Sequence, residues 1–84
     1  MQKQLEKIEI ELAQRIYKLF IEKFDGNKSA FARASQCNET TIRRIFRNQQ
    51  GITINLLLRI AFALEISVTD LLKDFKIERE NLKQ

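Results

Sequence analysis

Residues 28–47, KSAFARASQCNETTIRRIFR, carry the pattern that decides the fold. Two short runs of helical periodicity flank Gln36-Cys37-Asn38, a tight polar break. Phe31 and Ala32 in the first run, Cys37 in the break, and Ile42 and Ile45 in the second run form an inward-facing apolar set. Ala32 is small where two closely crossing helices need it to be, because a larger side chain would hold them apart. Outward from the second run point Glu39, Thr40, Arg43, Arg44 and Arg47. At helical spacing Thr40, Arg43, Arg44 and Arg47 make one connected stripe. Arginine forks beside a short hydroxyl residue suit guanine edges and phosphate oxygens. In a helix pair of this kind the first helix buttresses the second. The second lies in the major groove of DNA with its early residues toward the bases.

The flanks continue the helical theme. Leu5, Ile8, Leu12, Ile16, Leu19 and Phe20 recur at steps of three and four, which predicts a helix from about Gln2 to Phe24. A second series, Ile10, Ala13, Tyr17, Ile21 and Phe24, lies on a neighbouring face. Together they span more of the circumference than one small core uses. Two explanations stand: the helix is deeply buried in its own domain, or part of it packs on a second subunit. Asp25-Gly26-Asn27 ends this helix, and Asn27 can cap the next, about 28–35. Asn38 can cap a third helix at about 39–47, and Asn48 can take a left-handed conformation at its end. Thr53 is the expected cap of a fourth helix, about 54–65. Ser67 with Asp70 three residues on resembles a capping box for a fifth, about 68–73.

Composition agrees and excludes much else. The 84 residues contain no Pro and two Gly, are 44% hydrophobic and are 31% charged. That is enough for one all-α domain with a solvated surface. His is absent and Cys37 is the lone cysteine, so an intramolecular disulfide and Cys/His zinc sites are both excluded. Cys37 itself is expected to act as a small buried apolar residue. No apolar stretch approaches the roughly 18 residues that span a bilayer, and the first ten residues mix Lys and Glu, unlike a signal peptide. A cytoplasmic protein is the expectation. No metal, cofactor or catalytic constellation is expected: there is no metal-ligand cluster, no Gly-rich phosphate loop, and no nucleophile paired with a base.

Charge is uneven along the chain. Between Gly26 and Leu64 lie six basic residues (Lys28, Arg33, Arg43, Arg44, Arg47, Arg59) and one acid, Glu39, a balance of +5. The remaining nine basic and ten acidic residues give −1, and the two together give the net +4. A cationic middle between near-neutral flanks fits a surface that meets phosphate. Taken by itself it fits a solvated basic face equally well.

Residues 26–72 resemble the phage-repressor-type helix-turn-helix family, often called the XRE family. The matching elements are Phe31-Ala32, Cys37-Asn38, Ile42, Ile45 and above all LLLRIAFALEISVTDLL at 56–72. The resemblance implies an all-α, compact five-helix bundle of the lambda-repressor-like type with a long first helix. It also implies an operator-binding transcriptional regulator, repressor-like in role and dimeric. By the same resemblance Glu39, Thr40, Arg43 and Arg44 face the bases. Lys28, Arg47, Asn48, Gln49, Gln50 and Asn55 face the phosphate backbone, Asn55 at a helix N-terminus. Four positions depart from the family pattern: Gln36 and Asn48 replace frequent glycines, Phe46 a frequent acid, and Ile52 a frequent proline. Gln36 is therefore expected to strain its turn.

The expected organisation is one domain over 1–84, with an N-terminal helix (1–25), the family-like core (26–72) and a charged tail (73–84). Phe46 and Phe62 are expected in the core. The expected partners are double-stranded DNA and a second copy of the chain, with half-sites about 34 Å apart. A competing reading is a protein-interaction module or antitoxin that uses the apolar face of the first helix. The two are told apart by what covers that face.

Overall fold

Five helices form in chain order: α1 (Lys7–Phe24), α2 (Lys28–Ala34), α3 (Glu39–Phe46), α4 (Ile54–Leu64) and α5 (Val68–Leu71). They are seen in a computed structural model that describes residues 7–75. The expected start of the first helix near Gln2, with Leu5, and most of the charged tail lie outside the described residues.

Three of the expected caps hold the free amides at helix starts. Asn27 Oδ1 accepts from the Ala30 N–H at 3.0 Å, Thr53 Oγ1 from Leu56 at 3.1 Å, and Ser67 Oγ from Asp70 at 3.0 Å. Asn38 corrects the expectation. It has the extended backbone of an N-cap, but its side chain makes no capping hydrogen bond. The start of α3 rests instead on Glu39 in the first turn, where a carboxylate suits the helix dipole.

Three helix ends share one device. At the end of α2, Gln36 has φ 56°; its N–H donates to Arg33 O, and the Cys37 N–H donates to Ala32 O. At the end of α3 the same pair of bonds runs from Asn48 (φ 59°) to Ile45 O and from Gln49 to Arg44 O. Glu65 (φ 58°) and Ile66 repeat it after α4, bonding to Phe62 O and Ala61 O. This is the Schellman closure, which normally places glycine at the left-handed position. Here Gln, Asn and Glu occupy it. The turn strain anticipated at Gln36 is present, and a matching one stands at Glu65.

The core is Ala13, Ile16 and Phe20 from α1, Phe31 and Ala32 from α2, and Ile42 and Ile45 from α3. It is completed by Leu57, Ile60, Ala61 and Leu64 from α4 and Leu71 from α5. An aromatic cluster ties the first three helices together. Phe20 lies 5.1 Å from Phe31 and 5.2 Å from Phe46, and Tyr17 meets Phe46 edge-on at 5.0 Å. Phe46 is thus half-buried in that cluster.

Several burial expectations are corrected. Phe62 is not core: it is 77% exposed. It shares a row on α4 with exposed Ile54 and Leu58. Nine of the eleven residues of α4 are apolar, and a small bundle has room for only one side of it. Cys37 is half-buried rather than buried. On α1, Leu12, Leu19 and Phe24 pack against the core, so most of the wide apolar face is consumed within the chain. Tyr17 and Ile21 are its exposed large residues among those described.

Two long-range contacts close the bundle. Arg15 donates from Nη1 to Leu71 O at 2.9 Å and to Lys73 O at 2.6 Å, and its guanidinium lies 4.1 Å from the centre of the Phe75 ring. It thereby satisfies carbonyls at the C-terminus of α5, where a cation is favoured. Lys23 meets Glu65 at 3.3 Å on the surface.

Candidate nucleic-acid interface

The helix α3 is amphipathic, and its two sides are held differently. Ile42 and Ile45 are 1% exposed and fix one side against α2 and the core. Ala32, beneath that contact, is 4% exposed, in keeping with the close crossing its size permits. The opposite side carries exposed Thr40, Arg43 and Arg44, and exposed Arg47 follows as the C-cap. The expected stripe is therefore in place on one helical face.

The charges on that face differ in their partners. Arg43 Nη2 lies 2.6 Å from Glu39 Oε2 in an i,i+4 pair, so one base-facing candidate neutralises another in the free protein. Glu39 is half-buried and is less fully outward than expected. Arg44 and Arg47 make no ion pair among the described residues. Their side chains are free to meet an anion without first giving up a protein carboxylate.

The remaining candidates surround α3 in sequence. Asn48 and Gln49 are exposed and Gln50 is half-buried in the turn after it. Lys28 is half-buried at the first residue of α2, and Asn55 is exposed in the first turn of α4. Asn55 lines a groove of about 310 Å³ with Ala34, Gln36, Leu58, Arg59 and Phe62. That groove adjoins the turn between α2 and α3.

Arg59 makes a contact to the turn that local patterning missed. Its Nη1 donates to Gln36 O at 2.9 Å, bracing the left-handed residue that sets the angle between α2 and α3. The available signal was that Arg59 is the single charged residue in INLLLRIAFAL, the sequence of α4. Cys37, next in the turn, has its thiol pushed above the ordinary range by burial, with a smaller downward pull from Arg59. It stays protonated at neutral pH and is a poor nucleophile there. Among the described residues no group of His, Cys, Asp and Glu side chains could hold a metal ion. No helix there is long and apolar enough to cross a membrane.

A cationic helix presented outward, anchored by two isoleucines and set by a braced turn from its buttress, defines a helix-turn-helix DNA-binding domain. The chain belongs to the Cro/C1-type helix-turn-helix DNA-binding family, whose model matches residues 15–76. It is a DNA-binding transcriptional regulator. Among solved structures it is similar to the wild-type restriction-modification controller protein C.Esp1396I. The identity is 26%, covering 82% of this chain and 88% of that one, with a TM-score of 0.75. The controller protein C.AhdI from Aeromonas hydrophila shares 22% identity over 74% of this chain and 92% of its own, TM-score 0.66. The hypothetical transcription factor NHTF from Neisseria shares 16% over 96% and 90%, TM-score 0.71. These last two likenesses are of fold. No curated protein sequence matches the chain.

Proposed function

We propose that the chain is a sequence-specific, repressor-like regulator that acts as a homodimer in the cytoplasm and reads the major groove with α3. The observation that carries this reading is the pairing state of the arginines. Among the described residues Arg44 and Arg47 are exposed and without an ion pair, on a helix whose other side is fixed by Ile42 and Ile45. In this reading Arg44, Thr40, Arg43 and Glu39 face base edges. Arg47, Asn48, Gln49, Gln50, Lys28 and Asn55 hold the phosphate backbone and fix register. Arg43 reaches a base or phosphate by exchanging Glu39 for it. The domain spans 1–84 as one unit. The likeness to C.Esp1396I supports a transcription-controller role.

The test is fluorescence-anisotropy titration against pooled random duplexes at several salt concentrations, with sequencing of the retained DNA. A two-fold symmetric motif bound in a salt-dependent way is the expected result. Arg44→Ala should relax base preference and cost about 1–3 kcal/mol on the selected duplex only. Arg47→Ala should weaken all duplexes alike and reduce the salt dependence. Absence of any duplex binding at low salt refutes the reading.

A further inference from the structure

The described surface carries one continuous apolar row that the fold leaves uncovered. Ile54, Leu58 and Phe62 recur every four residues along α4 and are 74%, 54% and 77% exposed. They run for about 12 Å at the helical rise. Beside the row lies the groove that reaches Gln36 and Arg59 at the turn between α2 and α3.

We infer that a second copy of this chain docks on this row, with α4 against α4 and each copy's Phe62 seated at the groove of the other. The inference rests on the homodimer reading above and names its surface. Three arguments select a copy of this chain. The row is self-complementary: a two-fold axis at Leu58 sets the large Phe62 of one copy against the smaller Ile54 of the other, beside Asn55 at the groove's end. The charge pattern gives an acidic or basic partner little to recognise. The single charged residue of α4 is Arg59, and it already donates to Gln36 O. The third argument is area, once the groove walls are counted with the row. Three such side chains expose on the order of 400 Å² per protomer, about half of the ~800 Å² per partner in a standard interface. The groove walls beside the row supply further contact.

The alternative surface on α1 is poorer. Tyr17 and Ile21 are 45% and 40% exposed, and exposed Lys18 and Glu22 follow them directly in sequence. Docking on α4 has a consequence that docking on α1 lacks. It covers the Arg59–Gln36 hydrogen bond, so association firms the turn that aims α3.

The experiment is sedimentation equilibrium of the full chain and of two variants, Phe62→Glu and Ile21→Glu, with far-UV circular dichroism confirming that each is folded. Phe62 is so exposed that its replacement leaves the core intact. The expected result is a wild-type dimer, a dissociation constant raised about 30-fold or more by Phe62→Glu, and no change from Ile21→Glu. Dimerisation of Phe62→Glu at wild-type strength overturns the inference. So does dissociation by Ile21→Glu alone, or a wild-type chain that stays monomeric up to millimolar concentration. Sedimentation uses no DNA, so its outcome is independent of whether a duplex motif is selected. A second readout joins the two: Phe62→Glu should bind a single half-site as the wild type does and lose the extra affinity for the two-half-site duplex.

Discussion

Replacing Gln36 with glycine should make this protein more stable. Gln36 sits at φ 56°, where a residue with a Cβ is disfavoured by roughly 1–2 kcal/mol. The bonds that define the turn all use main-chain atoms: Gln36 N–H to Arg33 O, Cys37 N–H to Ala32 O, and Arg59 Nη1 to Gln36 O. All three survive loss of the side chain, which is exposed. Against the relieved strain stands the greater freedom of glycine in the unfolded chain, about 0.4–1 kcal/mol. The difference favours Gln36→Gly by roughly 0.5–1 kcal/mol, or a Tm higher by about 3–6 °C for a domain of this size. Thermal melts followed by far-UV circular dichroism, with a urea titration to check that the m-value is unchanged, measure it directly. A Tm lowered by several degrees would refute the reasoning, because it would mean that the glutamine side chain holds the turn. Glu65→Gly is the companion: the backbone strain is similar, but the Lys23–Glu65 contact at 3.3 Å is lost with it. That exposed pair contributes about 0–1 kcal/mol, so the gain should be smaller.

Phe20→Ala should cost about 3–5 kcal/mol, read as a lower urea midpoint. Phe20 is fully buried between Phe31 and Phe46, and a loss below 1 kcal/mol would show that the cluster closes over the gap. Glu39→Gln should have opposite effects on two measurements. Removing a first-turn carboxylate and its pair with Arg43 lowers stability by about 0.5–1 kcal/mol. Freeing Arg43 for a phosphate should steepen the salt dependence of duplex binding by up to about one counterion. Cys37 gives a pH dependence at the alkaline end. Its folded thiol is held above the ordinary value of about 8.5, so its contribution is fully present below that pH. As pH rises from there through the folded value, the unfolded chain ionises first and stability is lost. Melts between pH 7 and 10 should show a decline that is shallower in Cys37→Ala, and identical slopes would remove the cause assigned here.

Local chemistry made much of this legible in advance. Periodicity placed α2 to α5 to within a residue or two and the end of α1 at Phe24, and Asn27, Thr53 and Ser67 are caps by side-chain type. The turn at Gln36 stood out through the family resemblance, because glutamine replaces a frequent glycine there. The outward stripe of Thr40, Arg43, Arg44 and Arg47 on α3 followed from helical spacing. Legibility failed where a residue's partner is distant in the chain or its burial depends on a face choice. Arg59 meets Gln36 across 23 positions, and Arg15 meets Leu71 across 56, and no local pattern encodes either contact. Phe62 was misplaced because α4 carries more apolar residues than the core takes up, so hydrophobicity alone did not tell which of them face inward. Asn38 has the right residue and backbone for a cap, yet side-chain orientation decided otherwise.

The position of Tyr17 has a practical consequence. The chain has no Trp and this one Tyr, and its ring stands edge-on to Phe46 while also lying 5.8 Å from Phe20. The phenol is therefore a built-in optical label at the seam between α1 and α3, needing no engineering. Its near-ultraviolet dichroism should vanish when the recognition helix lifts from that seam, even if every helix remains wound. Titrating operator DNA while watching that band would reveal whether binding leaves the seam closed.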